Sequence, residues 1–309
     1  MLTPHQVGET GPESGPRSGD DPDEGPAAGP GVGSAELIIA VASPAEARAV
    51  RSGLRSLTNG DRARTAVLVV GIGKAPAAAR TAATLARHGP AVVLNAGIAG
   101  VLPVRGKISP QINDAVLGSA SIFADEGLRH PDGFQGCDEL GFPPVPPDLS
   151  CEPVPASPQG DGRRGAGLAV VPDARVLDPL ATLADHTGPI ATVSTCSGTD
   201  AAALELAQRT GAIAEAMEGA AVGLAARLVG EPRPGEPERP AHRPAFAELR
   251  VISNTTGDRD RQRWDLEGAL RRLAAVTAEA AARLLQTPDL TPDPPEAPGP
   301  AGPRGGRDA

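Results

Sequence analysis

Residues 36–54 read ELIIAVASPAEARAVRSGL, and this stretch decides the fold. Residues 36–42 form a short apolar run rich in Ile and Val, as expected of a strand buried on both faces. Ser43 follows with a hydroxyl suited to capping a helix. Pro44 fits the first helical turn, where its missing N–H would have had no partner anyway. Residues 45–54 are therefore predicted to be a helix, and the whole stretch a strand-to-helix unit.

The same unit recurs outward along the chain. Residues 65–70 read as a second strand, ended by Gly71-Ile72-Gly73-Lys74 and followed by an Ala-rich helix over 75–87. Residues 91–94 read as a third strand, and Asn95-Ala96-Gly97-Ile98-Ala99-Gly100 is predicted to turn at the sheet's carboxyl edge. Residues 115–124 read as a strand leading to a polar loop that carries Phe134. Strands at 167–171 and 190–194 follow, then a helix over 200–209 and a short strand over 212–216. A helix over 217–228, a strand over 248–253 and a long helix over 265–285 complete the pattern. In the last helix Leu266, Leu270, Leu273, Val276 and Ala280 keep helical spacing. Alternation of this kind predicts an α/β fold: a single three-layer domain with a central, mostly parallel, twisted mixed sheet flanked by helices.

Composition sets the expected limits of that domain. Residues 1–34 and 287–309 are mostly Gly, Pro, Ser and acidic residues, too poor in apolar side chains to offset their ordering entropy. Both are expected to be disordered tails around a catalytic domain over 35–286, with Pro-rich surface insertions at 143–164 and 231–244. The net charge of −9 and the scattered arginines argue against nucleic-acid binding. No membrane span or signal peptide is legible, so a cytoplasmic protein is expected. Cys137, Cys151 and Cys196 lack metal-ligand spacing and are expected to be buried, inert thiols.

Three segments offer chemistry, and each alone has an ordinary alternative. Glycine-rich strand ends at 71–73 and 97–100 suit ligand binding at a sheet edge, but equally suit plain turns. The first is neither a dinucleotide fingerprint nor a P-loop. Met217-Glu218 places a carboxylate at a strand-to-helix junction within an apolar run, where a partner is required unless the helix dipole alone explains it. Asn254, closing the run Arg250-Val251-Ile252-Ser253, offers donors and an acceptor, or simply forms a turn.

Taken in order, these pieces resemble the nucleoside phosphorylase and nucleosidase superfamily. The likeness rests on Glu46 in the first helix, Gly71–Lys74, Gly97–Gly100, Met217-Glu218 and the Arg250–Ser253 strand end, and covers residues 36–285. It implies that Glu218 and Met217 bind ribose and that Glu46 is the base that deprotonates an attacking water; the alternative for Glu46 is an ordinary exposed helix residue. Gly73, Ile98, Ala99, Gly100 and Thr199 would contribute to the substrate site. Related phosphorylases carry Arg and Ser or Thr, as phosphate ligands, at the places of Asn95 and Ile98, so their absence favours hydrolysis. Adenine nucleosidases of this superfamily have Asp at the place of Asn254. An amide cannot give that proton but can hydrogen-bond a 6-oxopurine, which points to hypoxanthine or guanine.

Smaller matches resemble the futalosine hydrolase branch: Ile252-Ser253-Asn254, the run 257–260, Asp125-Glu126-Gly127, the run 140–143 and the run 194–200. The resemblance implies cleavage of futalosine to hypoxanthine and dehypoxanthine futalosine, on a route to menaquinone. It implies no metal and no organic cofactor, and a homodimer or higher homo-oligomer. Cys196-Ser197-Gly198-Thr199 occupies the region from which many relatives stack a Phe on the purine, so Phe134 is expected to cover the ligand instead, across a subunit boundary. Alternatives at this stage are another purine nucleosidase or phosphorylase, acting on inosine or methylthioadenosine, and a non-catalytic nucleoside sensor.

Overall fold

The computed structural model describes residues 35–103, 109–131, 133–137, 139–142, 152–153, 167–229, 243–287 and 290. The opening stretch folds as its sequence dictates: strand β1 (Leu37–Val41) runs into helix α1 (Pro44–Leu54), capped by Ser43. Helix α2 (Asn59–Ala63), β2 (Thr65–Val69) and α3 (Lys74–His88) follow. Next come β3 (Val92–Val101), β4 (Ala115–Phe123), a hairpin of β5 (Gly127–His130) and β6 (Gly133–Gly136), β7 (Glu152–Pro153) and β8 (Leu168–Val170). Helix α4 (Ala174–Leu180), β9 (His186–Thr192), α5 (Asp200–Thr210), β10 (Ala214–Ala216), α6 (Gly219–Val229), β11 (Ala245–Thr255) and α7 (Leu266–Leu285) complete the chain.

β1 shows why the sheet is covered on both faces. Leu37, Ile39 and Val41 pack on one side with α1, α4 and α7, while Ile38 and Ala40 pack on the other with α3 and α6. All five are buried, as an uninterrupted apolar strand requires. The sheet is mixed, with strand order β2-β1-β3-β10-β9-β4-β8-β7. β11 bridges β3 and β4, so β3, β10, β9, β4 and β11 pair in a closed circuit. Strand β3 is its axis: β1 pairs its first half, β10 its end, and β11 its whole length.

Several expectations need correcting. Gly97–Gly100 does not turn; it lies inside β3, which continues to Val101. The glycines serve close approach instead, as described below. The polar loop expected around Phe134 is the β5–β6 hairpin. The helix expected from residue 217 begins at Gly219, leaving Met217 and Glu218 in the preceding turn. Strand β11 is longer than expected because its first half pairs with β3. α2 and α4 were not predicted: α2 has no buried residue to give a periodic signal, and Pro179 inside α4 reads as a breaker. Of the expected insertions, 143–151, 154–164 and 231–242 lie outside the described residues, while Glu152–Pro153 pairs antiparallel with β8. The N-terminal tail over 1–34 and residues 288–289 and 291–309 of the C-terminal tail also lie outside them. Leu290, past the expected boundary at 286, is buried against the cluster built on α7.

Candidate active site

The β1–α1 junction delivers the first functional group. Glu46 sits in the first turn of α1 and closes a capping box with Ser43. Its Oε2 accepts from the Ser43 backbone N–H at 2.8 Å and the hydroxyl at 3.0 Å. Its Oε1 accepts from the backbone N–H of Ile98 at 3.0 Å. The residue is only 3% exposed, which removes the ordinary exposed-helix alternative. Three donors orient a carboxylate that has about four acceptor positions, leaving room for one more proton.

Glu218 arrives from the turn between β10 and α6. Its Oε1 accepts from the backbone N–H of Gly73 at 3.1 Å, and its Oε2 from Arg250 Nη1 at 3.3 Å. Gly73, at φ +93°, turns its N–H toward that carboxylate in a conformation side-chain-bearing residues avoid. Burial pushes the Glu218 carboxyl above the ordinary carboxylate range, against the pull of Arg250 and the Gly73 hydrogen bond; Glu46 adds to the rise. The helix-dipole alternative is insufficient, because Glu218 cross-links three elements.

Arg250 is the frame of the site. It is fully buried on β11, with Nε donating to Glu248 Oε1 at 2.8 Å, Nη1 to Glu218 and Nη2 to Asn95 Oδ1. The Ser121 hydroxyl donates to the other oxygen of Glu248, and the Asn95 amide donates to the Ala40 carbonyl at 3.0 Å. Burial would lower the pKa of Arg250, but Glu248, Glu218 and Glu46 outweigh it and the net shift is upward. A Cβ at Gly97 would stand 2.6 Å from both Arg250 Nη1 and Glu46 Oε1, so the glycine is what lets these groups meet over β3.

Three residues further along β3, a Cβ on Gly100 would lie 2.8 Å from Thr256 Cγ2, 3.2 Å from Asn254 Nδ2 and 3.6 Å from Glu215 Cγ. Asn254 follows a bulge in β11, so it is no turn former. Its Oδ1 accepts from the Ser253 hydroxyl at 2.8 Å and its Nδ2 donates to the Thr255 carbonyl at 3.0 Å. Ala99 is buried and its carbonyl faces the Ser253 hydroxyl at 3.3 Å. Lys74 ties the Gly71–Lys74 turn to Asp125 and Glu126, and Asp125 Oδ2 accepts from the backbone of Ser194 at 2.6 Å and Thr195 at 3.3 Å.

The structure thus brings together Glu46, Gly73, Ile98, Ala99, Gly100, Glu218 and Asn254, with half-buried Met217 beside Glu218. Two expected residues are engaged elsewhere. The Thr199 hydroxyl caps α5 by accepting from Ala202 N–H at 3.1 Å. The Phe134 ring lies 4.1 Å from the Arg209 guanidinium. The thiols also differ from expectation: Cys196 is exposed and Cys137 half-buried, while Cys151 lies outside the described residues. Burial of the Cys196 thiol, then Glu215, Glu218 and Asp125, push it up to about 11, which disfavours the thiolate. Glu248 and Arg250 had a legible signal, two opposite charges at alternate positions of an apolar strand. Glu215 had a weaker one, and the partnership of Lys74 with Asp125 none. Among the described residues no cluster of three His, Cys, Asp or Glu could hold a metal, and no helix is long and apolar enough to cross a membrane.

A family model described as the phosphorylase superfamily matches residues 36–286. Futalosine hydrolase of Acidothermus cellulolyticus is 38% identical over 257 residues, 78% of this chain and 88% of the relative. Futalosine hydrolase of Thermus thermophilus is 32% identical over 67% of this chain and 76% of the relative. Among solved structures, futalosine hydrolase of Helicobacter pylori superimposes with a TM-score of 0.56 at 17% identity, covering 82% of this chain and 97% of that one.

Proposed function

The chain belongs to the phosphorylase superfamily, and from that membership we propose that it hydrolyses the N-glycosidic bond of futalosine, releasing hypoxanthine and dehypoxanthine futalosine in menaquinone biosynthesis. The curated relatives support the substrate, and the chemistry of the site supports the reaction. Glu46 takes a proton from water as it attacks the anomeric carbon. Glu218 accepts hydrogen bonds from the ribose hydroxyls, with Met217 against the sugar, and Asn254 hydrogen-bonds the 6-oxopurine as charge develops across the breaking bond. Gly73, Ile98, Ala99 and Gly100 complete the substrate site. The protein acts as a cytoplasmic homodimer or higher homo-oligomer.

The observation that carries hydrolysis over phosphorolysis is the state of Arg250. Each of its three nitrogens donates to a protein acceptor, Glu248, Glu218 or Asn95, and Glu46 lies within electrostatic reach. A guanidinium already surrounded by carboxylates is a poor ligand for a phosphate dianion, which the surplus negative charge would repel. Chromatography of purified protein incubated with futalosine tests the proposal: free hypoxanthine is expected, and intact futalosine beside cleaved inosine or methylthioadenosine would overturn it.

A further inference from the structure

One buried carboxylate at the base end has no part in the reaction as derived above. Glu215 on β10 pairs in the sheet with Gly100 of β3 and Ala191 of β9, and is 4% exposed. Its Oε1 accepts from the Ser197 backbone N–H at 2.9 Å and its Oε2 from the Ser197 hydroxyl at 2.7 Å. Beside the Thr256 methyl, Glu215 Cγ and Asn254 Nδ2 lie 3.6 Å and 3.2 Å from where a Cβ on Gly100 would stand. Ser197 itself is buried, on the segment that Asp125 anchors at Ser194 and Thr195.

A departing purine takes the electron pair of the glycosidic bond and leaves more readily when a proton arrives with it. Asn254 has no proton to give. Glu46 must receive one, Glu218 is committed to the ribose, and the Cys196 thiol holds its proton up to about pH 11. Taking the nucleosidase reading of the site as its basis, we infer that Glu215 supplies the proton taken up by the departing base, passed on through the hydroxyl of Ser197. Ser197 is then the group that touches the base, and Glu215 is the positioning and proton-holding residue behind it.

The step balances. The bond from C1′ to the base breaks and its electron pair goes to the base; the Ser197 hydroxyl, which donates to Glu215 in the structure, rotates to give its proton to a base nitrogen while the protonated Glu215 carboxyl donates its own proton to the Ser197 oxygen. Water adds its oxygen to C1′ and yields its proton to Glu46. Glu215 ends ionised and Glu46 protonated, and exchange with solvent restores both.

Burial holds Glu215 above the ordinary carboxylate range, opposed by the two Ser197 hydrogen bonds. Among the described residues, the titratable group facing it is Cys196; β3 presents Gly100, β9 Ala191, β11 Asn254, and the residue just past β11 is Thr256, none of which titrates. A group that acts protonated loses its effect as pH rises through its pKa, so kcat/KM should fall on the alkaline side.

The test compares the parent with Glu215→Gln and Ser197→Ala on two substrates: a 6-oxopurine nucleoside that the parent cleaves, and 4-nitrophenyl riboside, whose leaving group needs no proton. Both variants should lose on the order of 100-fold in kcat/KM on the purine nucleoside and stay within a few-fold of the parent on the nitrophenyl riboside. Glu215→Gln should also lose the parent's alkaline limb. Equal losses on both substrates would make Glu215 a structural residue, and an unchanged rate on the purine would remove it from the reaction. If Glu215→Gln fails to fold, Ser197→Ala decides alone by the same ratio. A parent inert on futalosine but active on another purine nucleoside would refute the substrate assignment and leave this comparison intact.

Discussion

The proposed sugar end of the site holds Glu46, Glu218, Glu248 and Arg250 in one buried frame, whereas the proposed base end holds Asn254, Ser253, Ser197 and Glu215 with no cation among them. The sugar end gathers charge from β11 and two helix starts over β3, as suits a ribose, which offers hydroxyls to a strong acceptor whatever base it carries. The base end is built from amide, hydroxyl and one carboxyl, groups that discriminate between hydrogen-bond patterns on a purine edge. The difference separates binding from choice: changes at the sugar end should lower activity on every nucleoside, while changes at the base end should alter the ratio between nucleosides.

Removing the frame should have the largest effect. Arg250→Leu would leave Glu218 and Glu248 buried without their cation, and stranding a buried charge costs about 3–5 kcal/mol. Denaturant unfolding should show a loss of that size, with activity abolished. A fully stable variant would mean that the carboxylates do not depend on Arg250.

A smaller, more selective effect is expected of Glu218→Gln. Because its folded pKa is raised, the protonated form is the one the fold prefers. Above the unfolded pKa the ionised carboxylate therefore costs stability, and the cost grows until pH has passed the folded pKa. The neutral amide removes that cost while Glu248 remains as partner to Arg250. Thermal unfolding at pH 7 should show a Tm equal to or above the parent's. Turnover should fall by roughly one to two decades for each charged hydrogen bond lost, at about 1.5–3 kcal/mol apiece. Turnover within a few-fold of the parent would end the ribose assignment.

The least loss of rate, and the largest change of preference, belongs to Asn254. Asn254→Ala should slow futalosine cleavage by about one to two decades, and Asn254→Asp should lose the hypoxanthine nucleoside while gaining activity on its 6-amino analogue. The readout is kcat/KM for both substrates on all three proteins. An unchanged preference would shift base selection to the Ser194–Asp200 segment.

How much of this was legible depended on how local the cause was. Ser43, Pro44 and Glu46 announce α1 and its capping box within four residues, and the apolar run 36–42 announces β1. Gly97 and Gly100 showed that glycine was required but not why. The reason is two side chains from α1 and β11 arriving over β3, a contact between segments more than 150 residues apart. Asn95 was legible only as a missing phosphate ligand, and its positive role, accepting from Arg250, exists only once β3 and β11 pair. Phe134 fell outside the gathered site because a cation from α5 claims its ring.

The central claim is that water, not phosphate, attacks the sugar. One reaction in oxygen-18 water containing millimolar phosphate, with the sugar product weighed by mass spectrometry, addresses it directly. The account predicts a non-phosphorylated product carrying one heavy oxygen at the anomeric carbon, formed at a rate phosphate does not change. A sugar 1-phosphate without the label would contradict it.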